Sequence, residues 1–277
     1  MFGRSHSGTS TSGSRATDLP QELVEMIIAH VLLDTPTLKA CSATCRSWYL
    51  AALPHLHHTL TLHETDSNIA GEWLTSLQRL SEMRLLPFVK RLHIEQSRAG
   101  PHFRPTILKA QSLVRFLALM NVQELRITEV DFSVFTPQRQ RNLGRFMPTL
   151  RSLAIRRPIG AYNQLLHFIG LFPNLDDLGV IYDPVQEPTL DPALTPQSTP
   201  SLRGRLELAW IGGENILRDL SKLSGGLRFH HMDLLGVWDT RFLLDTCADT
   251  LETLRIYPMC WIVNGEGRFR AFRPPPI

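Results

Sequence analysis

NVQELRI, residues 121–127, is the stretch on which the reading of this chain turns. Its apolar residues Val122, Leu125 and Ile127 follow an L-x-x-L-x-I spacing. The last two are two residues apart, the period of a strand that buries one face. The same spacing returns as FVKRLHI (88–94), TLRSLAI (149–155), NLDDLGV (174–180) and TLETLRI (250–256). SLRGRLEL (201–208) and GLRFHHMDL (226–234) are looser copies with one and two extra residues, and HHTLTLH (57–63) reads as a further copy at the start. The central apolar residues are Leu92, Leu125, Leu153, Leu178, Leu206, Met232 and Leu254, separated by 33, 28, 25, 28, 26 and 22 residues. A unit of this size cannot bury its apolar face alone, and stacking successive units solves the problem.

Helical patterns fill the intervals. Trp73, Leu74, Leu77 and Leu80 form one apolar stripe, Leu113, Phe116 and Leu117 another. Leu143 with Phe146, then Leu165 to Ile169, Ile216 to Leu220, and Phe242 to Leu244 continue the series. Strand–helix alternation at this period resembles a degenerate leucine-rich repeat. The expected fold class is therefore α/β: a right-handed solenoid arc with a parallel sheet over residues 56–277. Eight strands about 4.8 Å apart would make a short arc of roughly 35 Å. Residues alternating with the strand leucines should face away from the core and meet a substrate. The substrate-binding candidates are Glu95, Arg126, Thr128, Arg156, Ile181 and Tyr257, with His93, Ala154, Gly179, Glu207, Ala209 and Arg255 in the same positions. A slip of one residue would exchange every member. Residues 183–200, DPVQEPTLDPALTPQSTP, carry five prolines and are expected to be a loop, because each removes a donor and fixes φ.

The first 17 residues are rich in Ser, Gly and Thr and are expected to be a disordered tail. Residues 18–55 read as three short helices. DLPQELVEMIIAHVLL has helical apolar spacing at Leu23, Val24, Ile27, Ile28, Val31 and Leu32, with Pro20 at the opening turn. Thr35-Pro36 opens the second helix. SATCRSWYLAAL is read as the third, with Ser42 as N-cap and Pro54 as its stop. Apolar residues surround too much of the first helix for a forty-residue unit to bury them all, so the helix needs a covering surface.

Leu19-Pro20, Glu22-Leu23, Ile27-Ile28, Leu32, Leu38, Ala40 and Cys45-Arg46-Ser47-Trp48 resemble an F-box. The family pattern opens with Leu-Pro and closes with a Val/Thr-Cys-Arg/Lys-x-Trp element; Thr44 stands where Val is common. An F-box followed by irregular leucine-rich repeats is a layout common among fungal proteins. The resemblance implies a Skp-type adaptor tethered to a cullin scaffold, contacted through Leu19, Pro20, Leu23, Ile27 and Ile28. It also implies a substrate-recognition subunit of an SCF-type (cullin–RING) ubiquitin ligase, a monomer within a hetero-complex that recruits a protein substrate through its repeats. Two other readings stay open. One is a repeat scaffold without a ligase, in which the helices merely cap the array; the other is an enzyme with an unrecognised site.

The 277 residues are 43% apolar and 20% charged with a formal charge of +3, an ordinary globular composition that gives no argument for nucleic acid. Four cysteines are too few and too scattered for a disulfide framework. With no signal peptide and no long apolar run, the expectation is a cytoplasmic or nuclear protein with no membrane contact. Cys41, Cys45, His55, His57 and His58 lack the spacing of a structural zinc site, so no metal and no cofactor are expected. No hydrolase elbow, zinc-protease helix, phosphate loop or dinucleotide turn occurs, so no catalytic residue is assigned.

Overall fold

A computed structural model of the chain describes residues 19–64, 72–96, 107, 111–130, 132, 137–159, 162–182, 202–209, 227–236, 241–257, 261–263 and 269–271. The expectations for the N-terminal tail, the proline-bearing stretch 183–200 and the Ile216–Leu220 stripe lie outside these residues. The chain divides into two compact units, Met1–His58 and Thr59–Ile277.

The first unit is helical. α1 runs Gln21–His30, α2 Thr35–Ser42 and α3 Arg46–Leu56. Pro20 stands at the N-cap of α1, where the lack of an N–H costs nothing. Asp34 precedes α2 and accepts a hydrogen bond from the Thr37 hydroxyl one turn on. The third helix differs from the sequence expectation at both ends. Ser42 is the last residue of α2, and its hydroxyl donates back to the Lys39 carbonyl at 2.8 Å. Cys45, in extended conformation, takes the N-cap position of α3. Pro54 lies inside α3, where it removes one hydrogen bond, and the helix closes a turn later with the His57 N–H on the Leu53 carbonyl. Val24 and Ile28 of α1, Leu38 of α2, and Trp48, Ala51 and Ala52 of α3 form one small core. Leu19, Val31, Cys41, Cys45 and Leu56 pack around it.

The second unit is α/β. Its strands are β1 Thr59–Glu64, β2 Arg91–Gln96, β3 Glu124–Thr128, β4 Ser152–Arg156, β5 Asp177–Ile181, β6 Arg205–Ala209, β7 His231–Leu235 and β8 Thr253–Tyr257. They form one eight-stranded sheet in chain order, with every neighbouring pair parallel. Helices α4 Glu72–Glu82, α5 Gln111–Leu117, α6 Pro137–Phe146, α7 Tyr162–Ile169 and α8 Arg241–Cys247 fall between strands. A short hairpin, β9 Trp261–Val263 against β10 Phe269–Ala271, forms a separate two-stranded sheet.

The register aligns the motif leucines. Leu92, Leu125, Leu153, Leu178, Leu206, Met232 and Leu254 stand side by side, and Ile94, Ile127, Ile155, Val180, Leu208, Leu234 and Ile256 form the next inward row. On the helix side these residues, those of β8 excepted, share one core with Trp73, Leu77, Leu113, Leu143, Leu166 and Phe168. Each fully buried leucine contributes about 1.5–3 kcal/mol of transfer free energy. Leu254 departs from the expectation. It occupies its strand position but is 38% exposed, as is its row-mate Ile256 at 51%. Among the described residues β8 has a sheet neighbour on one side, which leaves its inward side chains less covered than those of a central strand.

A second periodicity lies in the backbone. At the start of β3, β4, β5 and β8, two successive amides donate to one carbonyl ahead of the preceding strand. Gln123 and Glu124 bond Lys90, Arg151 and Ser152 bond Gln123, Asp176 and Asp177 bond Arg151, and Glu252 and Thr253 bond His230. Thr149, Asn174 and Thr250 add side-chain bonds back to Val122, Pro148 and Phe229. Just past strands β3, β4 and β7, Glu129, Arg157 and Gly236 all adopt positive φ (60°, 52° and 59°). These features recur because each unit docks on its predecessor in the same way.

Candidate functional site

Among the described residues, each unit presents one exposed surface that bears on function. On α1, burial of Val24 and Ile28 fixes the helix rotation and turns Leu23, Met26 and Ile27 outward. Residues three and four apart lie on one helix face, so these three form an apolar strip, exposed by 44%, 60% and 39%. Leu33 beyond α1 and Leu50 of α3 are exposed as well. Of the five adaptor candidates, Pro20, Leu23 and Ile27 are exposed and Leu19 is part-buried against the helical core. Ile28 is fully buried, so its side chain holds the strip in place from beneath and is not part of it. Met26 was missed; the i, i+3, i+4 relation to Leu23 and Ile27 was its signal.

The second surface is the open face of the sheet. Its first row, one residue past the leucines, reads His93, Arg126, Ala154, Gly179, Glu207, Asp233 and Arg255. The next reads Glu95, Thr128, Arg156, Ile181, Ala209, Leu235 and Tyr257. All six substrate-binding candidates therefore fall in these two rows. Arg126, Arg156 and Ile181 line a depression of about 210 Å³ over β3 to β6, whereas Glu95, Thr128 and Tyr257 stand outside it. Ala209 is buried and offers no surface.

The depression exists because Ala154 and Gly179 are adjacent in the first row. A Cβ on Gly179 would make only ordinary contacts, 3.6 Å to the Ala154 Cβ and 3.8 Å to the Glu207 Cβ. The missing side chain thus leaves space above the sheet and is not demanded by the backbone. Glu124, Ser152, Asp177 and Arg205 complete the lining from the row before the leucines. The sequence reading omitted that row, although strand alternation places it on the same face.

Charge on this face is largely paired. Glu124 accepts from Arg91 at 3.0 Å and from Arg126 at 2.7 Å. Asp233 binds Arg205 and faces the Arg255 guanidinium at 3.9 Å. Glu95 pairs with His63 at 3.0 Å. Asp177 accepts the Arg205 backbone amide at 2.7 Å. His93 is held below the ordinary imidazole range, first by burial and then by Arg126, with Glu124 opposing. Arg156 and Glu207 are exposed and have no ion-pair partner among the described residues.

Among the described residues these surfaces present contact area and charge, with no assembled nucleophile and base. Among the described residues no three His, Cys, Asp or Glu side chains group to hold a metal, and Cys41 and Cys45 pack beside the helical core instead. No described helix is long and apolar enough to cross a membrane.

The chain thus joins a helical unit bearing an exposed apolar strip to a parallel α/β sheet. Residues 16–63 match the F-box-like family model, so the chain carries an F-box-like domain across α1 to α3 and into β1. Domains of this family generally bind Skp-type adaptors. Among curated proteins, no significant sequence match to the chain is found.

Proposed function

We propose that this chain is a substrate-recognition subunit of an SCF-type ubiquitin ligase in the cytosol or nucleus. The F-box-like domain docks on a Skp-type adaptor, the adaptor tethers it to a cullin scaffold, and the sheet unit recruits a protein substrate. The observation that carries this reading is the coincidence of the F-box-like match with a helix that leaves Leu23, Met26 and Ile27 uncovered. Apolar side chains in such a strip are anchors for a partner.

The second unit is read as a degenerate leucine-rich-repeat array of the kind that follows F-boxes in fungal proteins. The support is the chain-ordered parallel sheet, the aligned leucines and the recurring backbone bonds between successive units. Its open face over β3 to β6 is the substrate surface in this reading, and Arg126, Arg156 and Ile181 contribute to it. Ubiquitin transfer falls to other subunits, so this chain acts by holding two partners together.

Co-expression with a Skp-type adaptor tests the reading. Capture of the adaptor by the full chain, lost on replacing Leu23 and Ile27 by Lys, supports it. Absence of capture by the wild-type chain leaves a repeat scaffold without a ligase.

A further inference from the structure

Among the described residues, two charges on the open face are not used by the fold itself. Arg156 on β4 and Glu207 on β6 flank the Gly179 depression, and neither has an ion-pair partner among the described residues. Neighbouring charges are spoken for: Arg126 by Glu124, and Arg205 by Asp233. An exposed cation and anion on opposite sides of a floor made by Ala154 and Gly179 form a polarised cradle.

From this we infer the class of ligand: an extended peptide segment with an acidic residue, a small residue two positions on, and a basic residue four positions on. The inference rests on the substrate-surface reading of the sheet unit. Arg156 and Glu207 are two strands apart, roughly 10 Å, and one pleat step apart along the strands, roughly 7 Å. Their backbones are thus separated by roughly 12 Å along a diagonal that crosses β5 between Gly179 and Ile181. In an extended peptide, residues four apart lie on one face and span about 13 Å. The acidic side chain then reaches Arg156, the basic one reaches Glu207, and the intervening residue of the same face rests over Gly179. A large side chain there meets Ile181 and the sheet, so a small one fits. A purely anionic ligand, phosphorylated or not, is disfavoured because Glu207 lines the same depression, while Arg126 and Arg205, which line it too, are already held by Glu124 and Asp233. Opposite charges favour one sequence pattern and repel its like-charged variants, which is how electrostatics generates specificity.

The test uses the full chain and three fluorescein-labelled peptides at low ionic strength, where exposed charges are least screened. The first is Gly-Glu-Thr-Ala-Thr-Lys-Gly; the others carry Lys at both charged positions or Glu at both. Fluorescence anisotropy should show the Glu/Lys peptide binding about tenfold tighter than either control. Arg156→Glu should reverse the order in favour of the Lys/Lys peptide, and its exposed position leaves the fold intact. Gly179→Ala, whose Cβ would occupy the floor at ordinary contact distance, should weaken all three. Equal binding of the three peptides, no binding of any, or an order unchanged by Arg156→Glu overturns the inference. Adaptor capture by the same Arg156→Glu preparation reports separately on the ligase reading, because the substitution lies outside the F-box-like domain.

Discussion

Gly204 sits just ahead of β6, where a Cβ would fall 2.1 Å from the Asp177 carboxylate oxygen and 3.1 Å from the Asp176 carbonyl. That carboxylate accepts the Arg205 amide, and the Gly204 amide bonds the Asp176 carbonyl. Gly204→Ala should displace the carboxylate and cost about 1–3 kcal/mol, read as a lower denaturant midpoint. An unchanged midpoint would show that Asp177 has room to move. His93 makes a pH-dependent prediction. Its folded pKa is depressed, so below about pH 6.5 the unfolded chain binds more protons than the folded one. The contribution is whole above that pH and is lost as the pH falls through the folded value. Wild type should therefore lose more stability between pH 7.5 and pH 5.5 than His93→Gln, when both are followed by urea denaturation. Equal losses would remove His93 from the acid response. Cys247 is a third residue-scale case: it is buried with its thiol on the Leu227 carbonyl at 3.4 Å, and burial raises its pKa. It should resist alkylation in the folded chain and react on unfolding.

For single elements, position in the sheet sets the cost of a mutation. Leu153 is fully buried on β4 with parallel neighbours on both sides. Leu153→Ala should cost about 2–5 kcal/mol through lost transfer energy and the cavity left behind. Leu254→Ala, on β8 with one neighbour and partial exposure, should cost well under half of that. A comparable loss at both sites would mean that β8 is as enclosed as β4. The strands were legible because the L-x-x-L-x-I spacing states the period directly, and the register then follows from aligning leucines. The exposure of Leu254 was not legible, since a period says which face a side chain takes and nothing of what covers it. The start of α3 was missed for a local reason. Ser42 is a good cap residue by type, but its hydroxyl bonds backwards to Lys39 and extends α2 by its own turn. The depression was missed because it arises from a coincidence of register. Ala154 and Gly179 are unremarkable 25 residues apart in sequence and become a floor only when paired side by side.

At the level of the whole molecule, the chain joins a helical unit with an F-box-like signature to a sheet unit with an open face. The order of helices and then a parallel sheet was readable from the change of apolar period near residue 56. Which α1 side chains lie outward was not, because Leu23, Val24, Ile27 and Ile28 are equally apolar and only packing against Trp48 and Leu38 separates them. The central claim, that the F-box-like domain joins this chain to a Skp-type adaptor, is met most directly by co-expression and size-exclusion chromatography. The expected result is a stable one-to-one complex for the wild-type chain. Replacing Leu23 and Ile27 by Lys should weaken that complex by about 2 kcal/mol or more, roughly thirtyfold, with the circular dichroism spectrum unchanged. A wild-type chain that elutes free of adaptor, or a double variant that still binds at full strength, would contradict it.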